Sequence, residues 1–110
     1  LFFPHGLGHM LGLGVRDASG LAPGRNEVRH FAGARLRMDL PLEANYLVTV
    51  EPGLYFIPAL LNDPEKRSQH QSRVEWDQLE PWIELGGMRI EDNVLVTPKG
   101  PRNLTASIPK

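Results

Sequence analysis

The run Tyr46-Leu-Val-Thr-Val-Glu-Pro-Gly-Leu-Tyr-Phe-Ile57 decides how this chain is read. Tyr46 to Glu51 and Leu54 to Ile57 are rich in β-branched and aromatic residues, so two strands are predicted, with Pro52-Gly53 as a turn between them. Residues two apart in a strand share a face, which groups Glu51 with Thr49 and Leu47. Val48 and Val50 flank the glutamate. A carboxylate in such a strand lies either at an exposed edge or buried against a partner. The run Met88-Arg-Ile-Glu-Asp-Asn-Val-Leu-Val-Thr97 poses the same question. It reads as a strand or strand pair, with Arg89 and Glu91 pointing one way and Met88, Ile90 and Asp92 the other. For any single glutamate of this kind, a solvated face or a salt bridge, such as one to Arg89, is the ordinary explanation.

Leu1 to Val15 contains Gly6, Gly8, Gly12 and Gly14. Each would cost about 1 kcal/mol in a helix relative to Ala, so an extended or looping segment with tightly packed backbone is expected. His5 and His9 lie in this segment, where small neighbours let backbone or ligand approach closely. The pair could ligate a metal or simply pack. His30 and His70, in polar surroundings, read as structural or exposed. Residues 16–36 show no clear period and read as a surface excursion. Asp63 is a predicted N-cap with Pro64 at the first helical position. Trp76, Leu79 and Ile83 recur at helical spacing, Pro81 is expected to end or kink that helix, and Gly86-Gly87 closes it. A turn at Pro98 to Gly100 and a polar tail to Lys110 complete the chain.

Composition narrows the function classes. The 110 residues carry 12 Lys+Arg against 13 Asp+Glu, a net charge of −1, with 41% hydrophobic residues and no Cys. That balance speaks against a nucleic-acid grip through phosphates. No apolar run reaches the ~18 residues of a membrane span. The absence of Cys excludes a disulfide framework and thiolate ligation, and suits a reducing, cytoplasmic compartment. Any metal must therefore be held by His, Asp or Glu, a donor set that suits Mn, Co or Zn. The 11 Gly and 10 Pro point to tight turns between short strands. Leu1-Phe2-Phe3 reads as the interior of an element, so the chain is expected to be a piece of a longer protein.

Three segments together carry a family resemblance: Pro4-His-Gly-Leu-Gly-His9, Val48-Thr-Val-Glu-Pro-Gly-Leu-Tyr55 and Gly87-Met-Arg-Ile-Glu-Asp92. In this order they resemble motifs of the pita-bread metallopeptidases, which include methionine aminopeptidase, aminopeptidase P, prolidase and creatinase. The final Asn-Leu-Thr…Ile-Pro-Lys stretch is similar to that family's C-terminal end. The resemblance implies an α/β (α+β) fold with a curved antiparallel sheet and covering helices, residues 1–110 forming the C-terminal part of the catalytic domain. It is strongest to the prolidase branch, which implies hydrolysis of the Xaa-Pro bond in dipeptides by a water activated on two divalent metals. Mn is the first choice, with Co or Zn as alternatives.

Carried over by motif, His9, Glu51 and Glu91 resemble metal ligands. Glu51 is also the implied proton shuttle and Glu91 the bridging carboxylate. His5 resembles a second histidine that shapes the catalytic pocket. Arg37 resembles a residue that holds the substrate's free carboxylate, and Arg89 one that contacts substrate or the bridging glutamate. Two more ligands, aspartates of an upstream strand pair, are expected outside this sequence, because Asp17 and Asp39 do not match by motif. Arg16 stands where the family usually has a substrate-contacting histidine. An arginine there can donate hydrogen bonds but cannot shuttle protons. The long spacer from Ile57 to Gly86, with Trp76 and Trp82, favours the dipeptidase over an Xaa-Pro aminopeptidase acting on longer peptides. A metal-free homologue serving as a binding module is the third reading. The expected partner is an Xaa-Pro dipeptide, with no nucleic acid or membrane, and a homodimer is expected for the full-length protein. The assignment requires Glu51 and Glu91 to share one face of the sheet.

Overall fold

A computed structural model describes residues 1–16, 20–31 and 33–110, so Asp17 lies outside the described residues. In chain order the elements are β1 (His30–Phe31), β2 (Ala34–Arg35), β3 (Leu47–Val50), β4 (Gly53–Tyr55), α1 (Pro58–Leu61), α2 (Pro64–His70), a 3-10 turn (Trp76–Gln78), α3 (Glu80–Leu85), β5 (Gly87–Arg89), β6 (Asp92–Thr97) and β7 (Gly100–Asn103). Short helices and antiparallel strands are mixed, as the sequence predicts. The chain forms two compact units, residues 5–52 with 90–110 and residues 1–4 with 53–89.

In the first of these units β3, β6 and β7 form an antiparallel sheet with β6 in the middle. The register pairs Leu47 with Leu95 and Val50 with Asp92. The Gly-rich start of the chain runs along the other edge of β3. Thr49 N–H donates to His9 O at 2.9 Å, Glu51 N–H to Leu7 O at 2.8 Å and Leu11 N–H to Leu47 O at 2.9 Å. This segment is extended, as its glycines imply. Among the described residues of this unit Ala34 and Val48 are the buried apolar ones, and His9, Thr49 and Glu51 are buried with them.

The sequence reading did not foresee β7. Gly-Pro-Arg-Asn has weak β-propensity and every residue of it is exposed. Pairing with β6, from Val94 with Asn103 to Thr97 with Gly100, makes it a strand. The polar tail then folds back on β6. Thr105 Oγ1 donates to Asp92 Oδ1 at 2.6 Å, Asn93 N–H donates to Thr105 Oγ1 at 3.1 Å, and the Lys110 ammonium pairs with Asp92. The surface excursion contains a two-residue ladder, β1 with β2, and its Arg25 and Arg29 hold Asp39 just beyond it.

In the other unit β4 pairs with β5, Gly53 opposite Arg89. Gly53 is therefore strand, where a turn was expected. Its glycine serves close packing, since a Cβ would collide with the Tyr55 ring. Asp63 caps α2 as predicted, accepting from Glu65 N–H at 2.9 Å and Lys66 N–H at 3.1 Å. Trp76, Leu79 and Ile83 are the half-buried positions among exposed neighbours from Glu75 to Leu85, but they span a 3-10 turn and α3 instead of one helix. Pro81 lies in the first turn of α3, where a missing N–H costs nothing, so it opens a helix it was expected to end. Phe56 and Leu61 are the buried apolar residues. The Phe56 ring packs on Phe2 and Trp82, each at 5.6 Å between centroids. Among the described residues no helix is long and apolar enough to cross a membrane.

The tail clamp gives a pH prediction. Hydrogen bonds from Lys110, Thr105 and Asn103 pull the Asp92 carboxyl from 3.8 down to about 2. A depressed carboxyl favours the folded tail fully above the unfolded value and loses that contribution as pH falls toward 2. The Asn93 and Thr105 amide resonances are expected to hold steady from pH 7 to pH 4.5 and to shift below pH 4 with the Asp92 titration. Asp92→Asn should remove that acid-range step.

Candidate metal centre

Three segments of the unit containing β3 bring the site together. Continuing the β3–β6 register one step beyond Val50 and Asp92 sets Glu51 opposite Glu91. Ile90 N–H donates to Pro52 O at 3.1 Å, so the pairing persists past that point. Directly opposed residues of an antiparallel pair present their side chains on one face, with Cβ atoms roughly 5 Å apart. The two glutamates share a face, as the assignment requires. Like charges so placed repel, and the arrangement calls for a cation or proton between them.

His9 reaches the same place from the other edge of β3. It is only 3% exposed. Its Nδ1 lies 2.8 Å from Met10 O. A carbonyl only accepts, so Nδ1 carries a proton and Nε2 is the ring nitrogen that can present a lone pair to a metal. Nε2 faces Glu51 Oε1 at 3.3 Å. A ligating histidine usually has this form, one ring N–H given to a carbonyl and the other nitrogen presented to the metal. The donor atoms of His9, Glu51 and Glu91 all lie within 4.8 Å of one another, with His9 and Glu51 buried and Glu91 exposed. One imidazole nitrogen and two carboxylates gathered this closely are a donor set that suits a divalent ion.

Thr49 ties the group together, a role the sequence showed only through its parity with Glu51. His9 N–H donates to Thr49 Oγ1 at 3.0 Å, and the same hydroxyl donates to Glu51 Oε1 at 3.1 Å. Gly8 makes this approach possible. A Cβ on Gly8 would fall well inside contact distance of the Thr49 carbonyl oxygen.

The remaining predicted residues lie as follows. His5 is half-buried, with Nδ1 2.7 Å from Gly6 O, and is not one of the three convergent donors. Arg37 lines a cavity of about 280 Å³ that also includes His9, Gly8, Val48 and Thr49. Arg16 lines a second cavity, of about 250 Å³, and so do Arg35 and Arg37. Arg89 ends β5 in the other unit and is exposed there. His30 is exposed and His70 half-buried at the end of α2.

Comparison with known proteins is consistent across sequence and structure. The model of metallopeptidase family M24 matches residues 1–98. The chain is 45% identical, over 97% of its length, to an Xaa-Pro dipeptidase of Xanthomonas campestris pv. campestris (strain B100), and covers 25% of that protein. It is 49% identical, over 94% of its length, to an Xaa-Pro dipeptidase of Marinobacter nauticus, covering 23% of it. The chain thus spans about a quarter of the curated relatives it matches. Among solved structures, proline aminopeptidase P II from Yersinia pestis aligns over 99% of this chain and 18% of its own, at 33% identity and a TM-score of 0.57. Aminopeptidase P from E. coli with the inhibitor Pro-Leu aligns over the same shares at 36% identity and a TM-score of 0.54.

The Gly8 contact predicts a steep cost for one methyl group. Gly8→Ala must push the first segment off β3 and lengthen the His9–Thr49 hydrogen bonds, losing about 2–3 kcal/mol of stability in urea unfolding. Amide exchange at Thr49 and Glu51 should accelerate with it. Gly6→Ala, whose Cβ would meet Arg35 O at an ordinary 3.5 Å, should be much milder.

Proposed function

Because the chain belongs to metallopeptidase family M24, we propose that it supplies the C-terminal part of the catalytic domain of an Xaa-Pro dipeptidase. The observation that carries this reading is the convergence of His9 Nε2 with the Glu51 and Glu91 carboxylates on one face of the sheet. The names of the relatives at 45–49% identity supply the substrate class. His9, Glu51 and Glu91 hold divalent ions, Mn first and Co or Zn as alternatives, with two aspartates from elsewhere in the full-length protein completing a dinuclear set. When bound, such a pair polarises the scissile carbonyl and lowers the pKa of a shared water.

The residues of this chain do the rest. The nitrogen of an Xaa-Pro bond is tertiary and must gain a proton before it can leave. Glu51 takes up the proton released by the attacking water on a carboxylate oxygen and returns it to that nitrogen. Thr49 Oγ1, donating to Glu51 Oε1, fixes the carboxylate's orientation during both transfers. His9 stays in the Nδ1–H tautomer, pinned by Met10 O. The largely apolar wall of the neighbouring cavity, with Leu40, Leu42 and Val48, excludes water and accepts the proline ring. Arg37 at that cavity binds the substrate carboxylate, for which a guanidinium offers two parallel donors. His5 shapes the substrate pocket from the Gly-rich first segment.

A specific observation favours a second reading. Solved structures that align with the chain include aminopeptidases P, one of them holding the inhibitor Pro-Leu. On that reading the substrate continues beyond proline. Cleavage of Ala-Pro against Ala-Pro-Gly by the full-length protein separates the two, a dipeptidase preferring the first.

Removing the shared carboxylate tests the assignment directly. Glu91→Ala in the full-length protein should lose most bound metal by elemental analysis and lower kcat/KM on Ala-Pro at least a hundredfold. His70→Ala should leave metal content unchanged. Equal metal in both variants would sink the role given to Glu91.

A further inference from the structure

The cavity of about 250 Å³ has three arginines on its wall, Arg16, Arg35 and Arg37. Arg35 ends β2, Arg37 follows in the bend after it, and both line the recess. Ala34, the other residue of β2, is buried. No carboxylate lines this cavity among the described residues. Asp39, the nearby acid, is already taken by Arg25 and Arg29. Three like charges around one recess repel one another, and an anion placed among them relieves that repulsion while receiving several charge-assisted hydrogen bonds. Leu36 and Arg37 line this cavity and also the one that contains His9, so the two recesses adjoin.

One substrate carboxylate occupies one guanidinium, and Arg37 suffices for it. Resting on the peptidase reading above, we propose that Arg16 and Arg35 extend the Arg37 site into a subsite for a second carboxylate on the leaving fragment. The enzyme therefore favours peptides with an acidic residue on the leaving side of the scissile bond. Arg16 recognises substrate in this role, in place of contacting the reacting carbonyl. Arginine suits it better than histidine, because its charge is permanent and its donors are planar and paired.

The acidic residue is the one that follows the leaving proline. The test uses the metal-loaded full-length protein with the matched pair Ala-Pro-Glu against Ala-Pro-Gln. The acid should be favoured by about tenfold in kcat/KM, the size expected of a charge-assisted contact. Arg35→Gln and Arg16→Gln should each bring that ratio close to one, and Arg35→Lys should restore part of it. A ratio near one in the wild type, or a ratio untouched by both variants, overturns the proposal. Calorimetry with the products Pro-Glu and Pro-Gln separates this outcome from a failure of the peptidase reading. If no peptide is cleaved, that reading falls, and the cavity is judged on binding alone. Tighter Pro-Glu binding that Arg35→Gln abolishes supports the subsite, and equal binding of the two products removes it.

Discussion

A glutamate only 5% exposed, in line with Val48 and Val50, has to be satisfied from every side, and the unit around β3 is organised by that requirement. The Thr49 hydroxyl donates to one carboxylate oxygen of Glu51, and the His9 backbone N–H holds that hydroxyl in place. Its backbone N–H is met by Leu7 O. Each of these partners lies on, or is bound to, the Gly-rich first segment, so the satisfaction of Glu51 and the docking of that segment are one event. Burial of a carboxylate is costly unless its partners are all in place. The apolar residues buried alongside, Ala34 and Val48, are too few to compensate a missing one.

Much of the site was legible before the structure, for physical reasons. Strand parity placed Thr49 with Glu51 and placed Glu91 on one face of its own strand. The glycines around His5 and His9 announced a close backbone approach, which Gly8 makes against Thr49 O. The common face of Glu51 and Glu91 was a requirement of the family resemblance that parity within one strand could not supply. It depends on the pairing register, and register is a property of two strands. The choice of His9 over His5 as the convergent histidine likewise came from the motif, since spacing treats the two alike.

Proline and glycine read as stops in a sequence, whereas their effect depends on position. Pro81 falls in a first turn and starts α3. Gly53 sits in a ladder where a side chain would strike Tyr55. β7 is a strand by pairing and not by composition, so nothing in Gly-Pro-Arg-Asn could reveal it. The helical face of Trp76, Leu79 and Ile83 was real, but a periodic apolar pattern does not say whether one helix or two short turns display it. Arg35 went unnoticed for a similar reason, because a basic residue in an aperiodic excursion gives no sign of the recess it lines.

The opposed glutamates also bear on how the sheet finds its alignment. Side chains alternate along a strand, so sliding β6 by one residue against β3 would exchange the faces of every side chain it presents, turning Glu91 away from Glu51. Such a slip would still allow many of the backbone bonds to form. A cation held by both carboxylates and by His9 would bind the in-register arrangement alone, and its binding free energy would be withheld from every slipped one. Without such an ion the mutual repulsion of the two acids would weaken the correct pairing. A centre built on this pattern would act as an alignment gauge for the strands that carry it, rewarding the one pairing in which its ligands coincide.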